Sequence, residues 1–264
     1  MEEDSMPKRI LPLLLLVFLV TTTLWAADDP FIGKWKLNPS KSQLTDQMKV
    51  ASAGPNRYAF DFGSGDAETI LVDGTDQPGL FGTTLAVTAE SPDTWKVVRK
   101  KDGRLLLTGI WKLSEDGKTL TDTFRANRPD GSISSLDYVY TRTAGMSGFP
   151  GTWESTKEKV NSTYEFQIQP WEGDGLSFVN PAQQSTKKMK FDGKDYPTEG
   201  PDLPPGVASS GRRIDKRTLE MTDKIQGKVR DVQQIRLSPD GKTLTMSVQP
   251  VGRSKPNILV FDRE

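Results

Sequence analysis

The chain has 264 residues, 34% hydrophobic and 27% charged, with Lys+Arg and Asp+Glu equal at 35 each. That composition excludes a disordered chain and a bundle of membrane helices, and neutrality without a basic block argues against a nucleic-acid partner. Cysteine and histidine are both absent, which removes disulfides, thiol nucleophiles, Ser-His-Asp triads, Cys- or His-based metal sites and His-ligated haem.

At the N-terminus Lys8 and Arg9 precede an apolar run from Ile10 to Val20, followed by Thr21-Thr22-Thr23 and Leu24-Trp25-Ala26-Ala27. A positive start, about 7–15 apolar residues and a small-residue exit predict a secretory signal peptide. It is expected to span 1–26, because cleavage after Ala27 would place bulky Trp25 three residues upstream. The run is short of the about 20 residues of a spanning helix, and no cysteine is present to carry a lipid anchor. The predicted location is periplasmic or extracellular, with the membrane met only during export.

The rest of the chain repeats itself. Phe31-Ile32-Gly33-Lys34-Trp35 recurs as Phe149-Pro150-Gly151-Thr152-Trp153, and Asp73-Gly74-Thr75-Asp76-Gln77-Pro78 as Asp192-Gly193-Lys194-Asp195-Tyr196-Pro197. Leu113-Ser114-Glu115-Asp116-Gly117-Lys118-Thr119 recurs as Leu237-Ser238-Pro239-Asp240-Gly241-Lys242-Thr243, and each copy closes on an aromatic-rich strand with an Arg, Arg142 or Arg263. Landmarks in one order predict two domains, 29–143 and 149–264, joined by a linker around Ala144-Gly145-Met146-Ser147-Gly148. Between Pro197 and Thr218 the second copy carries a Pro- and Gly-rich insertion, the composition of a surface loop.

Within each copy apolar residues alternate with polar ones. Tyr58, Phe60 and Phe62 share a face; so do Trp95, Val97 and Arg99, and again Tyr164, Phe166 and Ile168. Alternation of this kind marks half-buried antiparallel strands. Asp-Gly pairs at 73–74, 102–103, 116–117, 130–131, 174–175, 192–193 and 240–241 read as hairpin turns. About eight short strands per copy, linked by hairpins, predict an all-β protein of two tandem up-and-down antiparallel barrels.

The opening Phe31-Ile32-Gly33-Lys34-Trp35-Lys36-Leu37-Asn38-Pro39-Ser40-Lys41-Ser42 resembles that of bacterial secreted lipocalin-like domains, and Asp192–Pro197 with the Ser238–Thr245 turn resembles their second half. Together the two copies cover almost the whole chain after the leader. The resemblance implies a calycin-type barrel whose Gly-x-Trp tryptophan sits at the closed end beneath a late Arg. By position it pairs Trp35 with Arg142 and Trp153 with Arg263.

A small barrel either fills its interior with side chains or keeps room for one ligand, and the sequence leaves both open. Tyr58, Phe60, Phe62, Trp95 and Trp111 are the candidate ligand-binding residues. The leading expectation is an exported, non-catalytic binding protein for a small apolar or amphipathic molecule, with no cofactor or metal. An alternative is an interaction or inhibitor module meeting another exported protein through its loops, the 200–206 insertion foremost. A carboxylate enzyme built on Asp61, Asp66, Glu68, Asp192 or Asp195 is the third reading. Trp171 is expected on a loop, and Arg99-Lys100-Lys101 at a solvated hairpin tip.

Overall fold

The computed structural model describes residues 29–264 apart from Ser64; the predicted leader, 1–26, lies outside the described residues. Among them no helix is long and apolar enough to cross a membrane. The chain forms two ten-stranded antiparallel sheets, one a closed barrel and one nearly closed. The prediction of about eight strands per copy is corrected to ten. The extra strands are short, down to two residues in Gln77–Pro78, too brief for alternation to register.

In chain order the strands are β1 (Gly33–Leu37), β2 (Gln47–Gly54), β3 (Arg57–Asp61), β4 (Glu68–Leu71), β5 (Gln77–Pro78), β6 (Thr84–Ser91) and β7 (Thr94–Lys101). Then come β8 (Arg104–Leu113), β9 (Thr119–Asn127), β10 (Ile133–Ala144), β11 (Gly151–Val160), β12 (Glu165–Trp171), β13 (Gly175–Asn180) and β14 (Ser185–Met189). The last six are β15 (Tyr196–Glu199), β16 (Val207–Asp215), β17 (Thr218–Ile225), β18 (Lys228–Leu237), β19 (Thr243–Pro250) and β20 (Asn257–Arg263).

The halves of the chain do not each wind their own cylinder. Barrel 1 is built from β2 through β11, with β11 lying between β10 and β2; barrel 2 is β12 through β20 closed by β1. Trp35 on β1 pairs in register with Phe166 and Arg263, and Trp153 on β11 with Met48 and Arg142. The first strands of the two copies have changed places. Residues 145–150, expected to link two domains, instead make the β10–β11 hairpin turn within barrel 1. The chain crosses between barrels at 38–46 and at 161–164.

This exchange also corrects the closed-end pairs. Arg263 lies over Trp35, 4.3 Å from the ring centroid, and Arg142 over Trp153 at 4.1 Å. Each Trp is fully buried and donates its indole N–H to the carbonyl of the aromatic four residues earlier, Phe31 or Phe149. Each Arg then ties the turn of the other repeat landmark to the barrel floor. Arg263 donates to the carbonyls of Gly241, Ile32 and Pro30, and Arg142 to those of Gly117, Pro150 and Gly148. Gly33 and Gly151 admit these guanidinium groups, since a Cβ there would sit 2.6 and 2.7 Å from an Arg nitrogen. The recurring Gly-x-Trp, Asp-Gly turn and final Arg are thus parts of one cation–π floor.

Most Asp-Gly pairs behave as read, their glycines at positive φ. Asp174-Gly175 does not: Glu172 and Gly173 make that turn, and Gly175 opens β13. Trp171 is likewise not on a loop but ends β12, edge-on to Tyr196. In barrel 1 the seam between β4 and β5 is closed by side chains. The Gln77 amide both donates to the Leu71 carbonyl and accepts its N–H, standing in for a strand neighbour.

The two barrels meet at the ends opposite their floors. Arg253, from the β19–β20 connection, reaches Asp46, the Thr45 carbonyl and the Phe62 carbonyl. Arg230 pairs with Asp66 and covers the Phe81 ring, whose backbone takes φ 58°. The 200–206 insertion, expected as a free loop, is taken up by barrel 1: Asp202 pairs with Arg104, and the Pro201 and Leu203 carbonyls accept from Lys101. The barrels stand mouth to mouth.

Candidate ligand site in the first barrel

Alternation carries Leu120, Asp122 and Phe124 of β9 to the inside of barrel 1. Asp122 lies between Trp111 of β8 and Tyr138 of β10, its register partners. A cavity of about 310 Å³ opens beside it toward the mouth, walled by Met48, Phe62, Leu85, Val97, Trp111 and Phe124. Gly109 keeps that space, because a Cβ there would stand 3.0 Å from Asp122 Oδ1.

Of the five aromatics singled out from sequence, Phe62 and Trp111 line this cavity. Phe60 is fully buried behind them, 5.9 Å from Trp111 and parallel to Phe62 at 6.2 Å. Trp95 stacks on Phe149 at 3.9 Å, and Tyr58 packs edge-on against Trp95 at 4.9 Å. These three belong to the core that supports the wall rather than to the wall itself.

The polar groups of the site were missed by sequence reasoning, and they carry most of its chemistry. Asp122 is 8% exposed, and its Oδ1 has no hydrogen-bond partner among the described residues. Burial pushes its carboxyl up to about 7; the Trp111 indole N–H opposes this, and the charges of Asp46 and Asp137 add to it. Asp46, at the mouth, is also raised by burial, against the pull of Arg253 and a 2.6 Å hydrogen bond from the Tyr140 hydroxyl. The Tyr138 and Tyr140 hydroxyls are both held protonated by burial and by these carboxylates.

Arg99 is no solvated tip. It faces inward with Trp95 and Val97 and forms an ion pair with buried Glu68. Arg99 also donates to Thr83 Oγ1 at 2.7 Å, while Glu68 accepts the Leu80 N–H at 2.9 Å. Glu68 is thereby neutralised. The other proposed acids sit elsewhere: Asp61 accepts the Gly63 and Gly65 N–H groups, Asp192 that of Lys194, and Asp195 pairs with Lys224.

Barrel 2 holds a cavity of about 350 Å³, lined by Tyr164, Phe166, Phe178, Met221, Met246 and Leu259 among others. Its polar groups satisfy one another. Lys187 bonds both oxygens of Asp223 at 2.6 Å, and Asp223 accepts further bonds from Ser209 and Gln233. Gln233 also donates to Asp231. The chain matches no protein-family model and no curated protein sequence.

Proposed function

We propose that the protein is an exported carrier of calycin type, holding a small amphipathic molecule inside barrel 1. The observation that carries this reading is the apolar, aromatic-walled cavity of about 310 Å³ in which, among the described residues, Asp122 is the one uncompensated polar group. Ligand sites are typically of about 300–1,000 Å³, mostly apolar, with few placed polar groups. The leader predicted over 1–26 supports export, and the Gly-x-Trp opening with its late Arg supports the lipocalin-like kinship. A loop-mediated interaction module is less well supported, because the 200–206 insertion is occupied by barrel 1.

Native mass spectrometry of the purified protein, with uptake of an environment-sensitive apolar dye, tests the reading. Bound small molecule or dye is expected, and Val97→Trp, which fills the cavity, should abolish it. A wild-type protein that carries nothing and takes up no dye overturns the proposal.

A further inference from the structure

We propose that the barrel 1 cavity selects a small aryl-alkyl primary amine, its ammonium pairing with the Asp122 carboxylate and its ring lying against the aromatic wall. This rests on the carrier reading of the same cavity and names the ligand class.

Arg99 at the cavity is matched by Glu68, and Asp46 by Arg253. Arg125 and Asp137, on the neighbouring β9 and β10, pair with each other. Tyr138 and Tyr140 are neutral. Among the described residues lining the cavity, Asp122 alone remains without a counter-charge, with Oδ1 buried and unpartnered. Leaving a buried polar atom unsatisfied is costly, and a ligand donor relieves that cost.

Each ligand class meets this cavity differently. A carboxylate or phosphate would face Asp122 and Asp46, and among the described residues lining the cavity the one cation, Arg99, is already taken by Glu68. A neutral alcohol can donate one hydrogen bond. An ammonium offers three donors and a full charge, and the rings of Phe62, Trp111, Phe124 and Tyr138 favour a cation further. Burial pushes the Asp122 carboxyl up to about 7, so a cation beside it would favour its ionised form. An alkylammonium stays charged to about pH 10, so it binds the ionised carboxylate. Affinity is then greatest above pH 7 and falls about tenfold for each unit of pH below it, as one proton must leave Asp122.

Three probes of one size separate the possibilities: 2-phenylethylamine, 2-phenylethanol and 3-phenylpropionate, followed by calorimetry and by Trp fluorescence at pH 8 and pH 5.5. The expected result is an amine bound at least tenfold tighter than the alcohol at pH 8, with the propionate weakest. That preference should vanish at pH 5.5 and in Asp122→Asn, while the alcohol binds alike in all cases. The pH series on wild-type protein needs no variant, so a misfolded Asp122→Asn leaves the test intact. Alcohol or propionate binding as tightly as the amine at pH 8, or an amine preference indifferent to pH, overturns the amine assignment and leaves the carrier standing. Failure of all three probes to bind at either pH also overturns the amine assignment, and the carrier falls with it only if the protein likewise carries nothing and takes up no dye.

Discussion

On the fourth strand of each sequence copy, β4 and β14, barrel 1 carries Glu68 opposite Phe60 and barrel 2 carries Lys187 opposite Phe178. On the seventh, Arg99 faces Leu85 where Asp223 faces Ser209. The two barrels therefore hold one inward ion pair in the same place with its polarity reversed. Their ninth strands differ more: Asp122 opposite Tyr138 in barrel 1 becomes Met246 opposite Leu259 in barrel 2. At the floors, by contrast, Phe, Gly, Trp and Arg are the same in both. The two copies share the residues that close the cylinder and differ in those that face its contents. The interiors differ accordingly, one arranged around an uncompensated acid and one around a satisfied polar network.

The exchange of first strands gives the largest test. Trp35→Ala should cost about 3–5 kcal/mol, and hydrogen exchange should show the loss in 165–263 rather than in the half of the chain that contains the mutation. Trp153→Ala should deprotect 47–144 instead. If each substitution loosens its own half, the exchange is wrong.

Next comes the reversed ion pair. Glu68→Ala strands the Arg99 charge and should cost about 3 kcal/mol or more, the usual penalty for breaking a buried pair. The double change Glu68→Lys with Arg99→Asp imports the polarity of barrel 2 and should recover most of it, as read by a double-mutant cycle in denaturant. No recovery would mean that Thr83 and the Leu80 N–H, not charge alone, dictate the orientation.

A smaller effect separates the ninth strands. The carboxyl of Asp122 titrates at about 7 in the fold against an ordinary value of 3.8, so ionisation opposes folding. Its cost is absent below about pH 4, grows as pH rises to about 7, and is constant above. Asp122→Asn should therefore stabilise barrel 1 at pH 8 by about 1–3 kcal/mol and by little at pH 4, as thermal melts would show. Met246→Asp should bring the same pH dependence to barrel 2. Smallest of all, Asp202→Ala removes a partly exposed ion pair at the mouth contact and should cost only about 0.2–1 kcal/mol, diminishing with salt.

Strand character was legible because alternation persists wherever a strand exceeds about five residues, as in β7 and β9. The same alternation, followed through, places Arg99 with Trp95 and Val97, and Asp122 with Leu120 and Phe124. Charge obscured this, since a lone acid or base in a strand ordinarily faces water. Asp46 left no such trace: it precedes β2, and its partner Arg253 comes from the other barrel. The exchanged strand was hidden for a different reason. Gly33-Lys34-Trp35 and Gly151-Thr152-Trp153 suit either floor equally, so the motif cannot choose. The choice lies in the connections. A tight turn at 145–150, with Gly145 and Gly148 at positive φ, forces β11 beside β10, whereas the longer stretch 38–46 lets β1 stay behind.

Because β1 is hydrogen-bonded to β20, the seam of the second cylinder is zipped from segments that lie almost the full folded sequence apart. Barrel 1 can assemble from a continuous stretch as it emerges, while β12–β20 must wait, with a raw edge, for an early strand to be docked late. Contacts this remote in sequence are slow to form and leave unpaired backbone available to neighbouring molecules in the meantime. Once docked, the same strand acts as a clasp. Neither β1 nor β20 can fray without breaching the wall of barrel 2.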